Sequence, residues 1–194
     1  VEWTLQRALR TARFWWIALG YSSGLYVWYA VQVHQTRYLT ESGFSAGTAA
    51  WALGIVSLAG IPGQIALGWL DEALLTHAQD LLGIAIAPGM PLLALMVLSQ
   101  GLIGYGITSV FGAIPADVFE GPHYGPIFGT LSLTSIAGGA AGPWLTGVIH
   151  DATGSYAAAF WLAIAMALLS AFAIWRASPS QVRAVPGQRR TTLN

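Results

Sequence analysis

Seven neutral polar side chains lie within the most apolar stretches of this 194-residue sequence, and they are its first candidates for chemistry. Their phenol, amide and hydroxyl groups bind ligands by hydrogen bonding and stacking. On a helix Gln100 and Thr108 share one face, as do Tyr26 and Tyr29. Polar groups at such positions face a wet cavity or, for any single Ser or Thr, another helix. The full set predicts a cavity lined by neutral groups: Tyr26, Tyr29, Gln32, Gln64, Gln100, Tyr105 and Thr108.

One short motif would permit nucleophilic catalysis. Gly20-Tyr21-Ser22 is similar to the Gly-x-Ser of six-span intramembrane serine proteases, in which a histidine could serve as the base. Gly-x-Ser is also common where helices pack closely. Every histidine falls near a predicted helix end or loop: His34, His77, His123 and His150. We therefore expect that the chain is not an enzyme. The lack of Cys excludes any Cys-based metal or redox site, and we expect no cofactor or metal.

Composition indicates the solvent in which the chain folds. Apolar residues make up 55% of the chain and charged residues only 8%, against roughly a quarter in soluble domains. A soluble protein of this size could not bury so much apolar surface. The net charge is zero, which argues against a nucleic-acid partner. We expect the chain to lie in a lipid bilayer.

The charged residues divide the chain into segments that could cross a membrane. Uncharged windows of 23 to 36 residues separate them, and a spanning helix needs roughly 20 residues. Pro88-Gly89-Met90-Pro91 interrupts the longest window. A segment at 73–87 is either a sixth, short crossing or a loop at the membrane surface. The confident spans are predicted at 14–36, 46–70, 91–113, 124–148 and 155–176.

The arginines predict the topology. Seven of the eight lie before the first span or after the last, and basic residues near span ends stay in the cytoplasm. Both termini are therefore expected in the cytoplasm, which requires an even number of crossings and favours six. The expected organisation is an arm at 1–13, an all-α bundle of six spans at 14–176 and a disordered tail at 177–194.

Glycine pairs at four-residue spacing predict where helices pack closely. Because glycine has no side chain, two such residues on one face let helix backbones approach each other. The pairs within the predicted spans are Gly20 and Gly24, Gly125 and Gly129, and Gly138 and Gly142.

Four stretches resemble the C-terminal six-helix half of a major facilitator superfamily transporter, and more narrowly its monocarboxylate and oxalate–formate branch. They include Ile61-Pro62-Gly63-Gln64, Ile114-Pro115-Ala116-Asp117 and Asp151-Ala152-Thr153-Gly154, together with the arm from Glu2 to Trp15. The resemblance implies an all-α six-helix bundle, and the sequence departs from it where the family has a full ninth helix and this chain has only the short segment at 73–87. It also implies transport of a small solute, such as a monocarboxylate. The absence of Lys together with abundant Ala, Gly and Arg favours a bacterial source and hence the bacterial inner membrane.

The resemblance further implies functional roles, and the sequence departs from the family at two of them. Asp71 and Asp117 correspond to cytoplasmic gate residues, with solvated loop carboxylates as the alternative. After Asp71 the family's basic loop is missing, and Gln64 stands where the branch has an arginine that holds the substrate carboxylate. One half supplies one cavity wall, so the expected partner is an N-terminal six-helix half or a second copy. A degenerate or truncated protein that does not transport stays open as the alternative.

Overall fold

A computed structural model of the chain describes residues 2–67 and 107–177 and, between them, positions 93, 94, 97, 100, 101 and 104. All regular secondary structure in these residues is helical, which confirms the all-α prediction. The predicted segment at 73–87 and the tail beyond Ala177 lie outside the described residues. The helices are α1 (Leu5–Leu9), α2 (Ala12–Glu41), α3 (Ala46–Leu67), α4 (Ile107–Val118), α5 (Tyr124–Thr153) and α6 (Ala157–Ala177).

The long helices extend beyond the apolar windows from which they were predicted. Helix α2 continues five residues past the predicted end at 36, and α5 continues to Thr153 instead of ending at 148. Helix α4 runs to Val118 with Pro115 inside it, five residues past the end of the span predicted at 91–113. Hydropathy marks only the part of a helix in lipid, whereas backbone hydrogen bonding continues beyond it. Arg37 and Glu41 pair at 2.9 Å, i to i+4, on the charged end of α2.

Helix α2 is the centre of the bundle and packs against α3, α5 and α6. Its contact with α5 is a backbone contact, because a Cβ added at Gly138 would overlap the Ser22 carbonyl and one at Gly142 would overlap the Tyr26 carbonyl. Ser22 Oγ also donates a hydrogen bond of 2.8 Å to the Thr134 carbonyl across this contact. The predicted close packing at Gly138 and Gly142 is confirmed.

A second close contact joins α2 to α6. A Cβ at Gly20 would lie 2.7 Å from Cδ1 of Ile174, and Ser170 Oγ donates a 2.8 Å hydrogen bond to the Gly20 carbonyl. By contrast, among the described residues no atom outside the local helix lies within 4 Å of a Cβ built at Gly125 or Gly129. The prediction for that pair is therefore wrong: both residues lie on an open face of α5, where spacing alone does not produce a contact.

The arm docks on one end of the bundle. Thr11 accepts a hydrogen bond of 3.3 Å from the Phe14 backbone N–H, which caps α2 and separates it from α1. Ala8 is fully buried in the cluster that also contains Phe14 and Phe119. The Trp3 ring meets Phe119 edge-on, with centroids 5.1 Å apart. This cluster fixes the direction in which the chain enters α2.

The bundle buries several polar groups among apolar clusters and exposes many large apolar side chains. Ser135 and Thr146 are buried between helices, whereas Trp161 is 71% exposed. A lipid environment explains this distribution, because it does not penalise exposed apolar side chains. Among the described helices, α6 alone meets both the length and the hydropathy expected of a membrane span. Its outward residues include Trp161, Leu168, Phe172 and Trp175.

The backbone contact between α2 and α5 predicts that added volume there destabilises the bundle. Gly142→Ala should lower stability by about 1–3 kcal/mol, the usual cost of overpacking a filled site. Gly129→Ala, on the open face of the same helix, should be neutral or stabilising by up to about 1 kcal/mol through helix propensity. Thermal unfolding followed by far-UV circular dichroism in detergent measures both. Equal effects of the two substitutions would contradict the described packing.

Candidate functional site

Tyr26 and Thr146 place two buried hydroxyl groups between α2 and α5. Tyr26 is a predicted cavity residue, and Thr146 lies beside its phenol. The Thr146 hydroxyl is close enough to hydrogen-bond with the Tyr26 phenol, but neither hydroxyl has another partner within the described part of the chain. An unpaired buried hydroxyl costs roughly 1–3 kcal/mol. Poorly paired hydroxyl groups here therefore lower the stability of the fold, as is typical of polar groups that are retained to bind a ligand.

Two other predicted cavity residues contact each other. Gln100 Nε2 donates to Gln32 Oε1 at 3.4 Å, which joins the segment before α4 to α2. Gln100 is only 6% exposed, and its Oε1 has no partner among the described residues. The structure thus brings together two amides that are 68 positions apart in sequence.

Gln35 belongs to the same face and was not predicted. It lies one helical turn after Gln32 and is 2% exposed. Both its Oε1 and its Nε2 lack hydrogen-bond partners in the described residues. The spacing of three residues from Gln32 was the available signal. Gln35 was not predicted because it lies two positions before Arg37, where the apolar window ends.

The remaining predicted cavity residues are less fully described. Tyr29 is partly exposed and its ring covers Gly139, where an added Cβ would lie 2.9 Å from Cδ2. Gln64 and Thr108 lie in α3 and α4, but their side chains are outside the described part, and Tyr105 lies outside it entirely. The cavity formed by the whole predicted set stays a prediction.

Of the two predicted gate residues, the structure describes one. Asp117 is exposed near the end of α4, at the same end of the bundle as the arm, where Glu2 Oε1 lies 3.6 Å from His123 Nε2. Asp71 lies outside the described residues. The gate role of both stays a prediction.

The Gly20-Tyr21-Ser22 motif joins helices. Gly20 packs on α6. The Tyr21 hydroxyl donates a hydrogen bond of 3.3 Å to the Phe111 carbonyl, and the Ser22 hydroxyl donates one to the Thr134 carbonyl on α5. The hydrogen bonds of His34 and His150 go to other groups, described next, and His77 is outside the described residues. The motif therefore accounts for close packing.

Where α2, α5 and α6 meet at the end away from the arm, they form a cluster that we call the histidine cluster: His34, Glu41, His150 and Tyr156. His34 Nε2 lies 3.0 Å from the Pro143 carbonyl and must carry the proton, because a carbonyl only accepts. Its Nδ1 then accepts from the Tyr156 hydroxyl at 3.2 Å. His150 Nε2 donates to Glu41 Oε2 at 3.1 Å, and its ring lies 4.2 Å from that of Tyr156.

Charges at this cluster are compensated locally. Hydrogen bonds from His150 and then Arg37 lower the pKa of Glu41 below its ordinary value, against partial desolvation. The hydrogen bond with Glu41 in turn raises the pKa of the Arg37 guanidinium. Arg37 thus forms an exposed ion pair with Glu41 at the end of α2. It does not supply a free cation to the interior.

The motif at 151–156 makes the turn that builds this cluster. Gly154 ends α5 with φ +67°, a left-handed conformation that favours glycine. The Thr153 hydroxyl accepts from the Ser155 N–H at 3.3 Å, and Ser155 Oγ caps α6 by accepting from the Ala157 N–H at 3.2 Å. The tight turn brings Tyr156 back onto His150.

Comparison with known proteins finds transporters. No protein-family model matches the chain. Monocarboxylate transporter 13 of Rattus norvegicus and that of Bos taurus are each 30% identical to it over 149 residues. Each match covers 70% of this chain and 35% of the relative. The chain therefore spans about a third of the length of the curated relatives it matches.

Two solved structures of FucP share the fold. The outward conformation of this major facilitator superfamily transporter superposes with a TM-score of 0.72 at 18% identity, covering 91% of this chain and 46% of that one. A variant of the E. coli fucose:proton symporter FucP gives a TM-score of 0.71 over 91% of this chain and 45% of its own. In both superpositions the matched part is somewhat under half of the FucP chain.

The chain has the fold of one half of a major facilitator superfamily transporter, which confirms the resemblance found in its sequence. In sequence it is related to the monocarboxylate transporters, and it is a multi-pass membrane protein. The glycine contact of α2 with α5 and the turn at Gly154 are the local features that shape this half.

The lowered pKa of Glu41 predicts how stability depends on pH. The folded-state pKa of Glu41 lies below its ordinary value of 4.5. Ionised Glu41 therefore stabilises the fold above pH 4.5, and this stabilisation is lost as the pH falls through the folded-state pKa. Glu41→Gln should therefore lower the melting temperature at pH 7 and have progressively less effect in acid. Glu2→Gln, at the other end of the bundle, is the control. A pH-independent effect of Glu41→Gln would contradict the interaction.

Proposed function

We propose that the chain is the C-terminal six-helix half of a secondary transporter that moves a small solute across a bacterial inner membrane, with both termini in the cytoplasm. Such transporters move two bundles about a site near the membrane midplane, and each bundle supplies one wall. The matched relatives are transporters of which the chain spans about a third. The partner is therefore an N-terminal six-helix half or a second copy of the chain.

The observation that carries this proposal is the set of buried polar atoms without partners in the described residues. Tyr26, Gln35, Gln100 and Thr146 all contribute such atoms, from three different segments. A purely structural membrane core pairs its buried polar groups. Since these atoms are buried within the half itself, water and solute would reach them only when the surrounding helices move apart. Gln32 and Tyr29 complete the described part of this wall, with Gln64, Tyr105 and Thr108 assigned to it from the sequence.

The proposed solute is small, and the names of the curated relatives favour a monocarboxylate. The sequence contains no Arg or Lys between Arg37 and Arg176, so a carboxylate would obtain its countercharge from the other half. Asp71 and Asp117 are proposed as cytoplasmic gate residues. Asp117 is exposed near the end of α4 on the side of the arm, which the proposed topology assigns to the cytoplasm.

A matched pair of tyrosine variants separates transport from folding. Tyr26→Phe removes a hydroxyl whose one neighbour for hydrogen bonding in the described residues is Thr146, so uptake should fall about tenfold with little loss of stability. Tyr21→Phe removes the hydrogen bond to the Phe111 carbonyl, so stability should fall by about 1 kcal/mol while uptake persists. The assay is uptake of radiolabelled lactate and fucose into proteoliposomes.

The proteoliposomes contain the chain alone or together with the N-terminal six-helix half of the rat relative. Uptake that requires the second half supports the proposed architecture. Absence of uptake in both preparations would contradict transport and favour the non-transporting alternative. Equal uptake by the Tyr26→Phe and wild-type proteins would exclude the phenol from the cavity wall.

A further inference from the structure

At the arm end of the bundle, two arginines from different helices lie beside the same tryptophan. Arg13 is in the first turn of α2, and Arg176 is in the last turn of α6. We propose that Arg13, Trp16 and Arg176, which we call the arginine site, bind the phosphate of an anionic phospholipid. This inference requires only that the chain is a membrane protein, and it does not depend on what the chain transports.

The contact of α2 with α6 brings the arginine site together. The Trp16 ring meets Phe172 of α6 edge-on, with centroids 5.8 Å apart. Arg176 Cζ lies 5.9 Å from the centroid of the same Trp16 ring. Arg13 precedes Trp16 by three positions on α2, and residues at that spacing are neighbours on a helix surface. Both arginines are therefore held at one place on the bundle.

The charges of both arginines remain available to an anion. Arg13 and Arg176 are exposed, and neither forms an ion pair within the described part of the chain. Glu2 of the arm lies near His123 instead, at 3.6 Å. The contact of Arg176 with Trp16 uses the charge and not the N–H donors of the guanidinium. The planar donor fork of arginine matches two oxygens of a phosphate.

The acidic residues of α4 and of the turn after it are placed toward another side of α2. Asp117 and Glu120 flank Phe119, whose ring centroid is 6.3 Å from that of Phe14. Phe14 and Trp16 are two positions apart, which is a rotation of about 200° around a helix. The side of α2 that meets α6 therefore differs from the side that meets Phe119, and the arginine site has a positive local charge.

Helix α2 itself favours an anion beside Arg13. The first turn of α2 contains Arg13 and no acidic residue. A helix N-terminus carries partial positive charge, so Arg13 adds charge of the same sign where an acidic residue would be stabilising. Arg176, at the C-terminus of α6, has the favourable sign. A bound phosphate would neutralise Arg13 and interact favourably with the end of α2.

The surroundings of the arginine site identify the anion as a lipid headgroup. Trp175 and Phe172 are 68% and 48% exposed on the last turns of α6, which is long and apolar enough to cross a membrane. Exposed tryptophan at the end of a span lies at the level of the lipid headgroups. A phospholipid places its phosphate at that level and its acyl chains along the apolar side chains below. A free phosphate would use only the arginines.

Phosphatidylglycerol, which carries a net negative charge, tests the inference against zwitterionic phosphatidylcholine with the same acyl chains. Native mass spectrometry measures the binding of each lipid to the full 194-residue chain, delipidated in detergent. The wild-type chain should bind phosphatidylglycerol about tenfold more tightly, because a charge-assisted hydrogen bond typically contributes that much to affinity. Equal binding of the two lipids would overturn the inference.

Charge-matched variants distinguish a defined site from general attraction to positive charge. Arg13→Gln and Arg176→Gln should each weaken phosphatidylglycerol binding about tenfold. Arg7→Gln removes the same charge from the arm at the same end of the bundle, at a residue that donates a hydrogen bond to the Glu2 carbonyl, and it should have little effect. Equal losses in all three variants would show general attraction and overturn the site.

Arginine-to-lysine variants keep the test decisive if a glutamine variant does not fold. Arg13→Lys and Arg176→Lys retain the charge but lose the planar donor fork, so each should bind phosphatidylglycerol more weakly than the wild type and still prefer it over phosphatidylcholine. A lysine variant without that preference would contradict the inference.

Two further measurements identify the source of the phosphate. Added phosphatidylglycerol should raise the melting temperature of the wild-type chain in detergent, since a ligand of the folded state stabilises it, and should not raise that of Arg13→Gln. Glycerol 3-phosphate, which has the phosphate without acyl chains, should not displace the lipid at equal concentration. Displacement by glycerol 3-phosphate would show a site for a free phosphate compound and overturn the assignment to a lipid.

Discussion

The contact of α2 with α5 through glycine is the constraint on which the rest of the bundle depends. Gly138 and Gly142 allow the two backbones to touch at Ser22 and Tyr26, so no side chain can separate the helices. Close approach brings polar backbone and hydroxyl groups within hydrogen-bond distance, as at Ser22 and Thr134. Such packing and hydrogen bonding drive helix association in lipid, where the hydrophobic effect between helices is absent.

The polar groups of the bundle differ in how well they are paired. At the α2–α5 contact the hydroxyl of Ser22 is satisfied, whereas Tyr26 and Thr146 are buried there with at most each other as partners, and Gln35 is buried elsewhere on α2 without a partner in the described residues. At the end away from the arm, the hydrogen bonds of the histidine cluster join α2 to α5 and to the turn before α6. The bundle thus has a hydrogen-bonded histidine cluster at one end, a close backbone contact between α2 and α5, and buried glutamine amides that are only partly hydrogen-bonded.

The sequence predicted where the described helices lie, because charges mark the limits of apolar windows, but the helices extend past those windows by several residues. It also assigned Gln32 and Gln100 to one predicted cavity, and the structure shows the two amides in contact. It did not predict the histidine cluster, since that cluster depends on which helix faces which at positions more than a hundred residues apart, as for His34 and Tyr156. It did not predict Gln35 either, because that residue lies close to the charged end of the apolar window. It predicted contacts for Gly125 and Gly129 because spacing does not reveal whether a neighbour is present.

The central claim is that α2 crosses a bilayer as part of a transporter half, and labelling from each side of the membrane tests it most directly. The chain has no Cys, so Arg10→Cys in the arm and Ala46→Cys at the start of α3 each introduce a single thiol. With a membrane-impermeant maleimide, Arg10→Cys should label only in inside-out vesicles and Ala46→Cys only in right-side-out vesicles. Labelling of both from the same side would contradict the account.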